Sequence, residues 1–499
     1  MTNLSQPSSP PAASRSDRDA RRRERSVLAI VCAGVVLASL DLFIVNVALP
    51  QIGRDLGAGR LAGLSWILNA YAIVYAAFLV VFGRLADRYP RERGFALGVA
   101  VFVAASAACA AASSVPMLVA FRVVQAAGAA LLTPTSLGLV LATTAPERRH
   151  AAVRAWTAVG GVAAALGPVV GGLLVAASWR WVFLVNVPIG LGALAVGSRR
   201  LPRVAGHAGP APDAVGAALI TAGVGLLTLG LVQGGSWGWV TPRTLGALAL
   251  SGLALALFTA RVLSHPNPLI DRALFRVRPF TGASVVALLF SVAFGAMLLS
   301  RVLWLQGVWH WSPLLTGLAI APGPVMVPLF SFGVAGRMIV RFGPGRVIAV
   351  GSAIFAAGAV WWALAAGLTP DYAGEMLPGM LLTGIGVGLT LPTTMASGAS
   401  SLPAHAFATG SAVVNMLRQV GLAIGVAVLI AVLGSPGSGS AIVLAYRRAN
   451  LVTAAIAGLA GAAGLVLLPA VRRRRALAPE AAEPAVAMLG ATPAGGEPG

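Results

Sequence analysis

Long apolar runs, separated by short polar segments, make up most of the chain. A helix needs roughly 20 apolar residues to cross a bilayer, and fourteen runs come close to that length. We therefore predict an all-α polytopic membrane protein with fourteen transmembrane helices. The predicted helices are 27–50, 64–82, 95–113, 117–142, 152–176, 181–198, 213–233, 244–263, 280–300, 313–335, 346–366, 375–397, 407–434 and 449–470.

The composition agrees with this pattern. Hydrophobic residues make up 58% of the chain and charged residues 10%, with a mean hydropathy of +0.85, whereas soluble domains carry about 25% charged residues. The net charge is +21, and all 36 basic residues are arginines, most of them clustered between apolar runs. This placement follows the positive-inside rule of membrane proteins and argues against nucleic acid as a partner.

The arginine distribution also predicts the orientation. With the N-terminus inside, 27 arginines fall on the inner side and six on the outer side. Such an excess marks the cytoplasmic loops, so we predict a multi-pass protein of the bacterial plasma membrane with both termini cytoplasmic. Arg447 and Arg448 fit least well and indicate a misplaced boundary near the last two helices.

Two motifs recur along the chain. GRLADRYPRER (83–93) resembles GRMIVRFGPGR (336–346) at an offset of 253 residues, and GPVVG (167–171) resembles GLAIG (421–425) at an offset of 254. We infer two related six-helix bundles, as in many secondary transporters, with two helices inserted between them. The predicted segments are a disordered cytoplasmic tail 1–26, an N-terminal bundle 27–200, the inserted helices 201–265, a C-terminal bundle 266–471 and a second disordered tail 472–499.

No nucleotide-binding loop of the type G-x-x-x-x-G-K-[ST] occurs in the sequence. ATP hydrolysis by this chain is therefore not the expected energy source. We expect an ion gradient to drive transport instead. The five histidines are scattered rather than clustered at ligand spacing. We predict no cofactor, no metal site and no enzymatic activity.

Asp41 is the one acidic residue well inside a predicted helix. An ionised acid at that depth costs about 2.5–3.5 kcal/mol on insertion scales. Burial and a nearby arginine have opposite effects on the affinity of a carboxylate for protons, so this residue can load and release a proton during transport. The alternative is a structural acid that pairs with an arginine only to hold helices together. We favour the functional interpretation because intramembrane ionisable residues are typically functional.

Arg122 is the candidate partner of Asp41. It lies near the outer end of predicted helix 4, at a depth similar to that of Asp41 when both are measured at roughly 1.5 Å per residue. A direct contact cannot be derived from this spacing. The alternative is an arginine that snorkels to the outer interface.

The segment after predicted helix 2 carries a second candidate group. Gly83 permits close helix packing, and Asp87 can cap or meet a neighbouring helix end. Arg84 and Arg88 can pair with acids or with lipid phosphates. A plain positive-inside loop is the alternative, but the similar segment after helix 10 argues against it.

Predicted helix 5 is crowded with small residues. Gly167, Gly171 and Gly172 allow close backbone approach, and Pro168 removes a backbone donor, which predicts a bend.

Elsewhere, polar side chains within apolar runs are candidates for lining a substrate cavity, or for hydrogen bonds between helices. These candidates are Asn46, Tyr71, Gln125, Gln306, Asn415, Arg418 and Gln419.

Several stretches together resemble the major facilitator superfamily, in particular its fourteen-helix drug:proton antiporter branch. The similar stretches are LDLFIVNVALP, GRLADRYPRER, RVVQAAGAA, GPVVGG, WRWVFLVNVPIG and NMLRQVGLAIGVAV. The resemblance implies proton-driven export by alternating access between two six-helix bundles.

The resemblance also implies roles for particular residues. Asp41 and Arg122 would serve proton coupling, and Gly83, Arg84, Asp87 and Arg88 would form a gating loop. The glycine and proline residues of helix 5, namely Gly167, Pro168, Gly171 and Gly172, would form the antiporter motif that keeps exchange obligatory. Pro90 and Ala126 stand where the family motifs usually have glycine.

The sequence thus predicts a proton-coupled efflux antiporter for drugs or amphiphilic small molecules. The expected partners are a small-molecule substrate, protons and the lipid bilayer, with no nucleic acid and a monomeric state. Because Asp41 is the one deeply embedded acid, neutral or anionic cargo is at least as plausible as dicationic cargo. The alternative within the same fold is a dedicated exporter of one endogenous natural product. A membrane-embedded enzyme, a channel and facilitated uptake are less favoured.

Overall fold

The computed structural model describes residues 15–57, 61–204, 213–402, 407–434 and 439–468. Within these ranges all regular structure is helical, because a helix satisfies its backbone hydrogen bonds internally in lipid. The long helices are α1 (Arg15–Asp55), α2 (Leu61–Arg88), α3 (Arg91–Ala110), α4 (Val115–Thr143), α5 (Pro146–Ala177), α6 (Trp181–Arg200), α7 (Ala214–Trp237), α8 (Pro242–Ser264), α9 (Arg278–Gly307), α10 (Pro313–Phe342), α11 (Pro344–Ala365), α12 (Leu377–Ser400), α13 (Phe407–Leu433) and α14 (Ser440–Leu467).

Twelve helices in the described ranges are long and apolar enough to cross a membrane. The other two long helices, α2 and α5, contain shorter apolar stretches at Gly63–Leu79 and Leu166–Ala177. The all-α polytopic membrane fold is therefore confirmed. The number of fourteen spanning helices is compatible with the structure and stays a prediction.

The ends of the chain differ from the prediction in two places. Helix α1 begins at Arg15, so part of the segment 1–26 that was predicted to be disordered is helical. Helix α14 begins at Ser440 rather than at 449, which places the exposed Arg447 and Arg448 on its second and third turns. The second predicted tail, 472–499, lies outside the described residues.

Helix α10 is continuous but irregular. It contains prolines at 322, 324 and 328 and a π-helical turn at Ser331–Ala335. A proline cannot donate a backbone hydrogen bond, so the i→i−4 hydrogen bonds of the helix are interrupted at these residues. The helix nevertheless continues to Phe342, beyond the predicted end at 335.

The helices pack as two groups. Helices α1 to α6 contact one another, with α1 against α5 and α3 against α4, and helices α9 to α14 do the same, with α9 against α13 and α11 against α12 and α14. The two groups meet where α2 packs on α13 and where α5 packs on α10. This grouping supports the inferred pair of bundles, whose exact limits stay a prediction.

The repeated glycine motif occupies matching helix contacts. In α5, Gly167 and Gly171 lie against Phe43 and Ile44 of α1, with no room for a side chain. In α13, Gly421 and Gly425 lie equally close to the backbone of α9 around Leu288 and Val292. Glycines four residues apart let helix backbones approach closely, and here the same device joins the first and fifth helices of each group.

The inserted helices α7 and α8 pack on each other, and α7 also contacts α2 and α13. Asp213 caps α7 by accepting a hydrogen bond from Gly216 N–H, and it accepts a second one from Arg261 Nε over 2.7 Å. Burial raises the pKa of the Asp213 carboxyl, but these two partners outweigh that effect and hold the pKa below its usual value. The pair therefore stabilises this end of the insertion at neutral pH, and the contribution is lost as the pH falls through the lowered pKa.

We predict that Gly98→Ala destabilises the protein. A Cβ at Gly98 in α3 would lie 2.8 Å from the backbone nitrogen of Leu132 in α4, and such overpacking costs about 1–3 kcal/mol. Gly246→Ala on α8 is the matched control, because nothing lies within 4 Å of a Cβ there and alanine favours a helix. Thermal unfolding of the purified variants in detergent should show a lower midpoint for Gly98→Ala only. Equal midpoints would contradict this packing.

Candidate functional site

A completely buried ion pair lies inside the first group of helices. Asp41 lies in the middle of α1 and Arg122 lies in the first third of α4, and neither side chain is exposed. Arg122 Nη1 donates to Asp41 Oδ2 over 2.5 Å. The sequence placed the two residues at similar depth, and the structure brings them into contact.

Three further polar side chains complete the surroundings of the carboxylate. Gln125 Nε2 and Asn186 Nδ2 donate to Asp41 Oδ1 over 2.9 and 3.1 Å. Gln125 also accepts from Arg122 Nη1 over 2.6 Å and donates to Ser106 Oγ over 2.7 Å. Helices α1, α3, α4 and α6 thus share one hydrogen-bond network, in which both carboxylate oxygens have partners.

The guanidinium of Arg122 is held from several sides. Its Nε donates to the backbone oxygen of Ile67 in α2 over 3.2 Å. Its Cζ lies 4.0 Å from the ring centroid of Tyr71 and 5.9 Å from that of Phe183, which are cation–π distances. A buried ion pair is tolerated only when such additional contacts repay the loss of water.

A large cavity lies next to this pair, between the two groups of helices. Its volume is about 880 Å³, within the range of sites for drug-sized ligands. Its wall is mainly apolar, with Phe294, Met297 and Leu298 among its members, and it contains Tyr71, whose ring packs against the guanidinium of Arg122. The ion pair is therefore adjacent to the cavity but does not line it.

The cavity reaches one end of the molecule. We call this end the amino-terminal face, where α1 begins and α2 ends; Gly83, Arg91 and Ala142 line the cavity there. At the opposite face the two groups are in contact, because Gln306 Nε2 on α9 donates to the Val47 backbone oxygen on α1 over 3.1 Å. The cavity therefore extends toward one face and is closed at the other.

The predicted cavity residues divide into two sets. Asn46, Tyr71, Asn415, Arg418 and Gln419 line the cavity.

Gln125 and Gln306 do not line the cavity, which corrects the prediction for both. Gln125 belongs to the network around Asp41, and Gln306 bridges α9 and α1. Polarity within an apolar run indicates a need for a partner, and the sequence does not say whether that partner is a cavity or another helix.

The four predicted gating residues are not in a loop. Gly83, Arg84, Asp87 and Arg88 all lie on the last turns of α2, and α3 already begins at Arg91. Gly83 lines the cavity and Arg88 is exposed, whereas the side chains of Arg84 and Asp87 lie outside the described part of the structure.

The glycine–proline motif of α5 faces two helices. Besides the contacts of Gly167 and Gly171 with α1, Gly172 packs on the backbone of Pro313 and Leu314 at the start of α10. Pro168 lines the cavity, and its backbone oxygen lies against Gly317. The motif therefore joins the two groups of helices at the face opposite the amino-terminal one.

Sequence reasoning missed Asn186 and Ser106 as members of the Asp41 network. Asn186 offered a signal, because it is a polar residue within the apolar stretch VFLVNVPIG. Ser106 offered none, since a serine among alanines in a membrane helix is common and can satisfy itself on the preceding turn.

Comparison with known proteins identifies the family of this fold. A model described as "Major Facilitator Superfamily" matches residues 31–426. The chain belongs to the major facilitator superfamily. This membership agrees with the two groups of helices around a cavity and with the resemblance seen in the sequence motifs.

Two superfamily relatives are similar over most of this chain. The "Tetracenomycin C resistance and export protein" of Streptomyces glaucescens is 35% identical over 411 residues, which cover 82% of this chain and 76% of that protein. The "Cephamycin export protein CmcT" of Amycolatopsis lactamdurans is 35% identical over 463 residues, which cover 90% of this chain and 93% of that protein.

A solved structure of an auto-inhibited POT family peptide transporter shares the superfamily fold. It matches with a TM-score of 0.62 at 18% identity, covering 88% of this chain and 96% of that chain. At that identity the likeness shows the fold alone.

We predict that Arg122→Gln destabilises the protein and that adding Asp41→Asn restores part of the loss. Removing one partner leaves an uncompensated buried charge, which costs about 3–5 kcal/mol, whereas the double variant contains no buried charge at this place. Thermal unfolding in detergent measures both effects. A double variant no more stable than Arg122→Gln would contradict the mutual neutralisation of the pair.

Proposed function

We propose that this protein is a proton-coupled exporter of drugs or other amphiphilic small molecules that works by alternating access. The observation that carries the proposal is the fully buried Asp41–Arg122 pair beside a drug-sized cavity. Relatives over four-fifths of the chain or more are named as antibiotic resistance and export proteins, which supports efflux.

Asp41 is the proposed proton carrier. Protonation would remove its charge and weaken its hold on Arg122, Gln125 and Asn186, which belong to α4 and α6. Arg122 would then be free to shift against Tyr71, whose ring lines the cavity. Proton binding and substrate binding would then both affect the same cavity wall. By thermodynamic linkage, each would change the affinity of the protein for the other.

Polar groups near Arg122 offer a route for the proton. A small pocket of about 30 Å³ is lined by Arg122, Asn46 and Asn69, which is room for water. The side-chain amide of Asn69 is buried and has no hydrogen-bond partner among the described residues. Asn46 lines both this pocket and the large cavity, so it would be a polar connection between the cavity and the pair.

The contacts at the face opposite the amino-terminal one would form the gate that is closed here. Gln306 on Val47 and the α5 glycine motif on α10 hold the two groups of helices together at that face. If both termini are cytoplasmic, the structure is inward-facing. We propose that the end of α2, with Gly83, Arg84, Asp87 and Arg88, forms the corresponding contacts when the other face opens.

The proposal also includes the location of the protein, its oligomeric state and the exchange that it carries out. The protein would reside in the bacterial plasma membrane as a monomer, with both termini cytoplasmic, and would exchange a small molecule for protons without catalysing a reaction. The second candidate function is a dedicated exporter of one natural product. It is favoured by relatives named for single compounds, tetracenomycin C and cephamycin.

We expect Asp41→Asn to abolish proton-coupled export. Cells with wild-type protein should accumulate less tetracycline than cells without it, and an uncoupler should remove the difference. Cells with the Asp41→Asn variant should accumulate as much drug as wild-type cells treated with the uncoupler, because an amide cannot carry the proton.

Asp55→Asn is the matched control for that experiment. Asp55 is the last residue of the same helix, and it accepts a hydrogen bond from Trp179 Nε1, which an asparagine oxygen can also accept. Drug accumulation in cells with Asp55→Asn should equal that in cells with the wild-type protein. Equal accumulation in wild-type and Asp41→Asn cells, with and without uncoupler, would remove the antiporter proposal.

A further inference from the structure

We propose that Arg301 forms a subsite in the central cavity for an ionised acidic group, a carboxylate or phenolate, on the cargo. This inference rests on the proposed export function, whose substrate class it names. Arg301 lies on α9, outside the Asp41 network, and its side chain is 1% exposed. It also lines the central cavity, so it lies in the wall against which a bound molecule would pack.

The guanidinium of Arg301 is only half satisfied by the protein. Its Nη2 donates to Asn450 Oδ1 on α14 over 2.7 Å and to Ser300 Oγ over 2.8 Å. Its Cζ lies 4.2 Å from the ring centroid of Trp362. Its Nε and Nη1 are buried and have no hydrogen-bond partner among the described residues.

An arginine with a purely structural role would be expected to use these donors. A buried charge is costly unless it is paired and hydrogen-bonded. Arg122 in the same molecule is paired with Asp41 and has one unpartnered nitrogen, Nη2, among the described residues, against two in Arg301. Among the described residues, Arg301 has no carboxylate as a partner. An anionic oxygen at Nε or Nη1 would supply both the missing charge and the missing acceptor.

The rest of the cavity has the same sign. Arg418 also lines it, and no acidic residue stands in the described wall. The carboxylate of Asp41 does not line the cavity and is already engaged by Arg122. A cavity with walls of low dielectric and one sign of charge concentrates molecules of the opposite charge.

The shape of the site fits an amphiphile rather than a small inorganic anion. The wall around Arg301 is apolar and includes Met297 and Leu298 one turn earlier on α9, and the volume of about 880 Å³ is far larger than one ion needs. We therefore infer a cargo with an apolar body and one acidic group. Arg301 would bind that group, with Trp362 and Asn450 holding the guanidinium in place.

Equilibrium binding of two dyes tests this subsite. Rhodamine 110 carries a free carboxylate, and rhodamine 123 is its methyl ester, so the pair differs only at the acidic group. Fluorescence anisotropy with purified wild-type protein should show about tenfold or greater preference for rhodamine 110, as a hydrogen bond to a charged group predicts. Arg301→Gln should remove this preference and change rhodamine 123 affinity less than about threefold.

A second variant neutralises the subsite while keeping the arginine. Asn450→Asp places a carboxylate 2.7 Å from Arg301 Nη2, where the amide oxygen now stands, and should also abolish the preference for rhodamine 110. It covers the case in which Arg301→Gln fails to fold, and size-exclusion chromatography checks both variants. Gly307→Asp is the control, because it adds an acid at the end of the same helix, where nothing lies within 4 Å of a Cβ and the cavity is not lined, and it should keep the preference.

Three results would overturn the inference. These are a wild type that does not prefer rhodamine 110, a preference that survives both variants, or a thermal shift caused by chloride alone. The last result would assign the subsite to an inorganic anion.

The binding test does not depend on proton coupling, so it separates the two proposals. If Asp41→Asn exports normally while the dye preference depends on Arg301, the coupling proposal fails and the subsite stands.

Discussion

The protein depends on the neutralisation of one carboxylate in the interior of a membrane-spanning helix bundle. Asp41 cannot be hydrated there, and the structure meets this need with one cation, two amides and a serine drawn from three other helices. Each partner is worth little unless the others are in place, because a half-satisfied buried network is costlier than none. The relative positions of α1, α3, α4 and α6 are therefore tied to the charge on a single side chain, which would be the physical basis of the proposed coupling between a proton and a helix movement.

The two groups of helices treat charge differently. In the first group Arg122 has a matched acid, packs on the ring of Tyr71 and does not line the cavity. In the second group Arg301 lines the cavity, and two of its nitrogens have no partner in the described part of the chain; its described neighbours include an amide, a hydroxyl and an aromatic ring. Under the two proposals, a duplicated fold would separate two tasks. One bundle would hold the group that binds the proton, and the other would present a cation to the cargo, so protons and cargo would not compete for one carboxylate.

Close backbone contacts hold each bundle together. Glycines in α5 and α13 leave no room for side chains against α1 and α9, and such contacts are specific because packing, not hydrophobicity, holds helices together in lipid. Between the bundles, α2 packs on α13 and α5 packs on α10, and Gln306 adds a side-chain hydrogen bond. Under the proposed function, these contacts between the bundles would separate and re-form during alternating access.

The sequence by itself determined the membrane class, most helix positions and the internal repeat, and it predicted that Asp41 lies inside a membrane helix and needs a partner. These follow from hydropathy and from the cost of a charge in lipid, both of which are local properties of the chain. Only the tertiary structure decided which polar residues meet. Gln125, Gln306 and Asn415 look alike in sequence, yet they serve the buried network, a contact between bundles and the cavity wall. That choice depends on the rotation of each helix about its axis and on neighbours more than 80 residues away, which hydrophobic periodicity does not encode in helices that are apolar on nearly every side.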